Sequence, residues 1–552
     1  MPAPSIEAAY RRRWLVLSVL CSSVLLVVVA NMGLNVALPT LGRTLHASSS
    51  SLAWIVDVYV LCFAGLLLPA GAIGDRFGRK GALQCGLVLF LVATVLGAFS
   101  VETWQLILAR AAMGVGAALV MPGTLSILAT VFPPAERPKA IGIWASVAGA
   151  SVAVSITWSG LMLEHFWWGS IFLGMGVVAA VALIAGHILL PTSRHPEDAR
   201  LDPVGTVLAV VGVTGLLYGL IQAPDNGWTS TRVLVAFAVG LLGLAAFGGV
   251  EITAAHPMLD LRFFRQPRFS LGSLSIAAAY FALFGMYFVF TQYLQLVRGY
   301  SPLTAGLYAL PAGLAQLAVA NWSKSLVARQ GVRAVLTGGL FASTAGLLVL
   351  ASCGTHSAPW VFEIGLGLLG VGIGLTMPAA TGAIMSSLPP HKAGVGSAVN
   401  DLVRELGGAF GIGVLGSLTI SHYQSRLAPA VADHPSPVAA AARKGLAQAF
   451  GIGGGPDSAL GQAARSAYAT GLDFAMIVGA AVTFVAAIAI YAAMSSSDGP
   501  APPGQQPGRD QCERQHRPRR TPIGLGMVYL IRSGGVGARA RRDAFVGGLH
   551  RD

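Results

Sequence analysis

The 552-residue chain is 54% hydrophobic and only 11% charged, a balance that excludes a water-soluble globule, which would expose far more apolar surface than water tolerates. The net charge of +13 does not signal nucleic acid, because ten Arg against five acids fall in residues 495–552 and most of the remaining excess lies in short loops between apolar blocks. The expected solvent for this chain is a lipid bilayer.

A bilayer core roughly 30 Å thick is crossed by about 20 apolar residues in a helix. The first apolar run follows Arg11, Arg12 and Arg13 and is too long for a signal-peptide core, so it is expected to stay as an anchor. In chain order the same ruler predicts fourteen spans, at about 14–38, 52–73, 81–100, 104–131, 138–160, 168–190, 204–223, 232–250, 270–294, 303–326, 333–352, 359–386, 398–421 and 472–494. The longest predicted loop, 422–471, joins the last two. Residues 495–552 are rich in Pro, Gly and Arg and read as a disordered basic tail. The five cysteines, Cys21, Cys62, Cys85, Cys353 and Cys512, are scattered, with no metal spacing and no disulfide pattern.

Basic residues in short loops mark the cytoplasmic side. With the N-terminus inside, the inner loops carry seventeen Lys and Arg and the short outer loops only Arg43, Arg232 and Arg298. Both termini are therefore expected in the cytoplasm, in a cell membrane, with 422–471 outside.

The chain also repeats itself. Arg76-Phe-Gly-Arg-Lys80 with Leu83 resembles Arg329-Gln-Gly-Val-Arg333 with Leu336, and Met121-Pro122 followed by Pro133-Pro134 returns as Met377-Pro378 followed by Pro389-Pro390, at offsets of 253 and 256. The predicted architecture is an all-α integral membrane protein of two six-helix bundles related by a pseudo-twofold repeat, residues 14–190 and 269–494, with two helices inserted between them in 191–268.

The loop after span 2 reads Gly71-Ala-Ile-Gly74-Asp75-Arg76-Phe-Gly78-Arg79-Lys80, and span 4 carries Arg110-Ala-Ala-Met-Gly114-Val-Gly116. Span 1 ends Asn35-Val-Ala-Leu-Pro39 and span 2 begins Trp54-Ile-Val-Asp57-Val-Tyr59. Over residues 10–495 these stretches resemble the major facilitator superfamily, and within it the fourteen-helix drug:proton antiporter branch. The resemblance implies export of lipophilic compounds in exchange for protons, with no cofactor beyond the proton gradient, acting as a monomer in the bilayer. In the loop, Gly71 and Gly74 allow close helix approach, and Asp75 is placed either to pair with basic groups across the bundle or to cap a neighbouring helix, a latch that would bias which side is open.

An ionisable group inside a span costs about 2.5–3.5 kcal/mol at its centre and calls for a reason. Asp57 and Arg110 stand at similar depth and are expected to pair, either as a proton-coupled switch or as a static ion pair. In span 13, Asp401 and Glu405 share a helical face with Arg404 beside them, read as a proton site opening towards the cytoplasm or as an interfacial salt-bridge cluster. In the family this stretch ends in Arg and Gln before Gly, so Arg404 and Gly407 match and Glu405 is an added acid. Cavity walls for a lipophilic substrate are sought among Asn31, Trp54, Tyr59, Trp144, Trp158, Tyr287, Gln292, Tyr293, Gln295, Gln316 and Arg404, several of which serve equally as packing or interface anchors.

Three departures from the family pattern bear on mechanism. Ala30, beside Asn31, replaces the usual acid of span 1. Span 5 reads Ser155-Ile156-Thr157-Trp158-Ser159-Gly160 where a Gly-Pro and a Gly-Gly are usual. Span 10 has Gln316 where some members carry an acid. The main reading is proton-driven export, and the alternatives are an uncoupled facilitator or a transport-inactive relic serving as a sensor or partner protein. No nucleotide loop, zinc motif or nucleophile elbow suggests an enzyme.

Overall fold

The computed structural model describes residues 10–45, 47, 49–191, 202–254, 257, 259–389, 392–432 and 434–494. The expected tail 495–552 lies outside the described residues. All regular structure among them is helical, and fourteen helices are long and apolar enough to cross a membrane. In order, the spans are Arg13–Met32, Ser51–Phe77, Arg79–Ala98, Thr103–Val131, Arg137–His165, Gly169–Leu189, Pro203–Pro224, Thr231–Thr253, Pro267–Val297, Leu303–Ala320, Trp322–Leu350, Pro359–Ser386, Ala393–Val431 and Ala459–Ala493.

Every predicted span is present, and the largest difference concerns the loop expected at 422–471. Helix continues from span 13 to Leu427, two short helices follow at Ser436–Lys444 and Leu446–Gly453, and span 14 already begins at Ala459. Hydropathy marks only the part of a helix that lipid surrounds, and the polar turns at 421–426 and 462–466 carry the helices beyond it.

Spans 1–6 pack into one bundle and spans 9–14 into a second. The repeat seen in sequence has a backbone counterpart. Gly78, between spans 2 and 3, has φ 112°, and Gly331, at the matching place of the second bundle, has φ 83°. Both conformations exclude most side chains, so glycine lets each chain reverse or kink in the same register. Pro122 and Pro378, the matched prolines, lie inside the helices of spans 4 and 12.

The halves meet along two seams, spans 2 and 4 against span 13, and span 5 against spans 10 and 12. Gln316 sits in the second seam, buried, with its Nε2 donating to the Ala145 carbonyl at 3.4 Å in the space beside Gly149. Span 5 is one continuous helix from Arg137 to His165. The inserted spans pack on each other, and span 7 also touches spans 2 and 13, while span 8 is the least buried of the fourteen.

Candidate functional site: a chamber between the bundles

The end of the molecule that carries the span 2–3 loop, here the basic end, is packed shut. Asp75 accepts hydrogen bonds from the backbone N–H groups of Gly394 and Val395 at 3.2 Å each, where span 13 starts. Its carboxylate thus binds the positive end of a helix in the opposite half, the capping role open to it in the sequence. Arg79 pairs with Asp75 at 2.9 Å and reaches the Thr130 hydroxyl at 2.8 Å. Gly71 lies so near span 13 that a Cβ there would come within 2.8 Å of the Gly394 carbonyl. Gly74 is buried too, but a Cβ there would meet only Ala82 of span 3, at 3.9 Å, so the close approach expected of both glycines is made by Gly71; Lys80 donates to the His187 carbonyl at 2.7 Å, and Arg76 covers the Phe77 ring. A further tie closes this end: Lys324, at the start of span 11, donates to the Ala135 carbonyl of the other half at 2.7 Å, while within the first half Arg13 pairs with Glu136 at 2.7 Å.

Towards the opposite end the bundles part around a chamber of two lobes. The first, of 310 Å³, is lined by spans 1, 2, 7, 9 and 13 and includes Asn31, Asp57 and Glu405. The second, of 640 Å³, is lined by spans 1, 5, 9 and 13 and includes Tyr287, Gln292 and Gln295, with Gln448 of the short outer helix at its rim. Met32, Leu38, Phe284, Phe288 and Ile412 belong to both walls, so the lobes adjoin. Either volume suits a drug-sized molecule, and the lining is the apolar and aromatic surface with few polar groups that such ligands need.

The polar cluster of span 13 stands at the floor of this chamber. Arg404 pairs with Asp401 and with Glu405, each at 3.3 Å, over the ring of Tyr280. Glu405 also accepts from Asn31 Nδ2 at 3.2 Å, across the gap between the halves. Asn400 donates to Asp401 at 3.4 Å and accepts from Thr381 at 3.0 Å. All four of Asp401, Arg404, Glu405 and Asn31 are buried. Glu405 lies four residues further along span 13 than Asp401 and, in this conformation, lines the chamber on the far side of the closed end.

The expected Asp57–Arg110 pair is not formed. Arg110 is fully buried, donates through Nε to the Ile55 carbonyl at 2.9 Å and through Nη1 to the Ala30 carbonyl at 2.8 Å, and lies over the Tyr59 ring. Two backbone carbonyls and a π-face thus hold the guanidinium where the usual span 1 acid is missing. Asp57 instead accepts from Gln222 Nε2 of span 7 at 3.4 Å and faces the first lobe.

Of the aromatic candidates, only Tyr287 lines the chamber. Tyr59, Trp144 and Tyr293 are buried, with their polar atoms bound to the Val27 carbonyl, the Thr124 hydroxyl and the Gly354 carbonyl. Trp54 meets the tilted ring of Tyr218 of span 7, and Trp158 packs against Gly174 of span 6. The residues missed are Phe284, Phe288 and Thr291, although Phe284, Tyr287, Phe288, Thr291 and Gln295 recur at helical spacing on one face of span 9 and were legible as a stripe.

The sequence profile described as Major Facilitator Superfamily matches residues 20–412. The chain belongs to that superfamily. Among its relatives, the multidrug efflux pump LfrA of Mycolicibacterium smegmatis is 33% identical over 88% of this chain and 97% of its own length. The tetracenomycin C resistance and export protein of Streptomyces glaucescens is 30% identical over 89% and 94%. A solved bacterial homologue of the human lysosomal transporter Spinster shares the fold, with TM-score 0.55, 17% identity and coverage of 89% of this chain and 99% of that one. The proton:xylose symporter XylE does so at TM-score 0.56, 13% identity, 87% and 95%. This superfamily member is therefore a multi-pass membrane transporter with two bundles around a central chamber.

Proposed function

We propose that this transporter exports lipophilic small molecules, neutral or weakly basic, from the cytoplasm by alternating access, in exchange for protons. It would act as a monomer in the cell membrane, with the basic end and both termini cytoplasmic, and with the proton gradient rather than any cofactor as its energy source. The observation that carries this reading is one chamber walled by both halves, packed shut at the basic end and bearing the Glu405 carboxylate in its floor.

In this outward-facing form Glu405 bridges Arg404 of its own helix and Asn31 of the other half. A proton arriving from outside after substrate has left would neutralise the carboxylate, remove its attraction to Arg404 and weaken the bond from Asn31. The halves are then free to rock, the Asp75 latch opens, and the proton leaves inside as substrate enters. Substrate would be held chiefly by Phe284, Tyr287 and Phe288, with Gln292 and Gln295 as polar contacts. Names of relatives such as LfrA and the tetracenomycin exporter support the substrate class.

Expression in a pump-deleted bacterial host against a panel of dyes and antibiotics tests the reading. Raised resistance that disappears with a protonophore supports it, and unchanged sensitivity across the panel overturns it. One observation favours the alternative of an uncoupled facilitator, namely that Arg110 meets the Ala30 carbonyl, a group that cannot take up a proton, where an acid is usual. Equal downhill flux in vesicles with and without a pH gradient would select that alternative.

A further inference from the structure

The internal repeat leaves spans 7 and 8 unexplained, yet span 7 is keyed into both bundles. At the closed end spans 2 and 13 touch directly, where Gly71 faces Gly394 and Ala398. Towards the open end span 7 stands between them. A Cβ at Gly65 of span 2 would overlap the Thr214 hydroxyl, and a Cβ at Gly413 of span 13 would meet the Leu220 carbonyl at 3.1 Å, so each half gives span 7 a glycine notch. Tyr218 meets the tilted ring of Trp54 of span 2 with centroids 6.0 Å apart, and Trp228, just past the span, donates to the Ser417 hydroxyl of span 13 at 3.0 Å. Held in this way, Leu220, Ile221 and Pro224 line the first lobe where spans 2 and 13 part.

We propose that span 7 is the specificity-determining wall of the chamber: Ile221, flanked by Leu220 and Pro224, sets the length of the apolar group that the first lobe accepts. The proposal rests on the reading of this chain as an exporter of lipophilic compounds and names the residues that limit its substrates. The first lobe is largely aliphatic, with Val56 and Val60 of span 2 and Ala409 and Ile412 of span 13 completing the wall that span 7 begins. The second lobe adds Tyr287 and adjoins the first through Phe284 and Phe288, so a ring system and an alkyl group have separate places in one molecule-sized space. Each methylene that enters an aliphatic lobe tightens binding roughly four-fold, and the gain ends at the first one for which there is no room. Two bundles alone would let the lobe run out between spans 2 and 13 into lipid, with no such limit. Span 7 supplies the limit, and Ile221, half-buried between the notch that holds Leu220 and the exposed Pro224, is the side chain placed to set it.

The test uses the purified full chain in proteoliposomes, with n-alkyl 4-(dimethylamino)benzoates from methyl to octyl as competitors of Nile red transport. All are uncharged, so the carboxylates of the lobe do not enter the comparison. Each ester partitions into lipid alike whichever variant is present, so only differences between variants count. The wild-type chain is expected to bind successive esters more tightly up to a break in the series. Ile221→Ala should move that break to chains longer by roughly two carbons, and Ile221→Trp to shorter ones by a similar step. Val207→Ala, at an exposed position of the same helix outside both lobes, should leave it in place. The same break in the wild type and all three variants, or an equal move with Val207→Ala, overturns the proposal. Wild-type transport of Nile red with no break in the series overturns it and leaves the exporter reading standing, whereas no transport of Nile red, alongside unchanged resistance, removes both.

Discussion

Glu405 of span 13 and Asn31 of span 1 meet across the chamber floor at 3.2 Å, a direct side-chain hydrogen bond between the two bundles next to the space a substrate would fill. Arg404 holds the other oxygen of the same carboxylate, so the charge state of one group bears on both the bundle's internal ion pair and the contact between halves. Glu405→Gln keeps the shape and an acceptor oxygen but removes the charge. We expect substrate-stimulated proton release, read with a pH-sensitive dye in proteoliposomes, to fall at least ten-fold, with downhill substrate movement retained. Proton release at the wild-type level would assign coupling elsewhere.

The Asp75 latch makes a separate prediction. Charge-assisted hydrogen bonds of this kind contribute about 1.5–3 kcal/mol each, and Asp75 makes two to the start of span 13 besides its pair with Arg79. Asp75→Asn should shift the equilibrium towards opening of the basic end by at least ten-fold. A cysteine placed at Ala398, which faces Gly71 in the closed seam, should then react faster with a membrane-impermeant maleimide applied from the cytoplasmic side. An unchanged labelling rate would mean that the seam is held by packing alone.

The fourteen spans, the duplicated halves and the Asp75 latch were legible because each rests on a local or periodic signal: apolar length, a repeated Arg-x-Gly-x-Arg/Lys loop, and an acid among glycines. The Asp57–Arg110 pair was misjudged because depth along two helices says nothing about their rotation. Arg110 turns towards spans 1 and 2, where two carbonyls accept from it, and Asp57 turns towards span 7. The role of span 7 in the chamber wall had no local signature, since its residues there are ordinary apolar ones. Trp144 and Trp158 have the size to wall a cavity, but Trp158 fills the space beside Gly174 and Trp144 is buried against Thr124.

Gly78 and Gly331 should behave as a pair. Alanine at either meets a backbone conformation that costs about 1–3 kcal/mol for a residue with a Cβ. Gly338, in contrast, is helical with open space where a Cβ would sit, and there alanine should be neutral or stabilise by about 0.5–1 kcal/mol. Thermal denaturation in detergent should therefore show lower midpoints for Gly78→Ala and Gly331→Ala, and no drop for Gly338→Ala.

The pH dependence of transport should not arise from the surface tie at the basic end. The hydrogen bond from Arg13 holds the Glu136 carboxyl below its usual 4.5. A lowered value means that the tie is fully present above the ordinary carboxylate range and is lost only as pH falls through the lowered one, so Glu136 stays ionised between about pH 5 and 8. Glu136→Gln is expected to change the rate without moving the midpoint of the transport–pH profile, whereas a moved midpoint would place Glu136 among the coupling groups.

Phe288 belongs to both lobes, so it offers a reading of the chamber as a whole. An aromatic contact is worth about 0.5–1.5 kcal/mol beyond the area it buries, or roughly two- to ten-fold in affinity. Phe288→Ala should raise the KM for aromatic substrates by at least that factor, while Phe288→Leu, which refills the volume without the ring, recovers the part due to burial. Trp144→Phe, away from the chamber and bonded to Thr124, is expected to act through expression and stability instead. Should Phe288→Ala leave KM unchanged for every transported compound while Trp144→Phe raises it, the substrate path would run past Trp144 and not through the chamber that Phe288 walls.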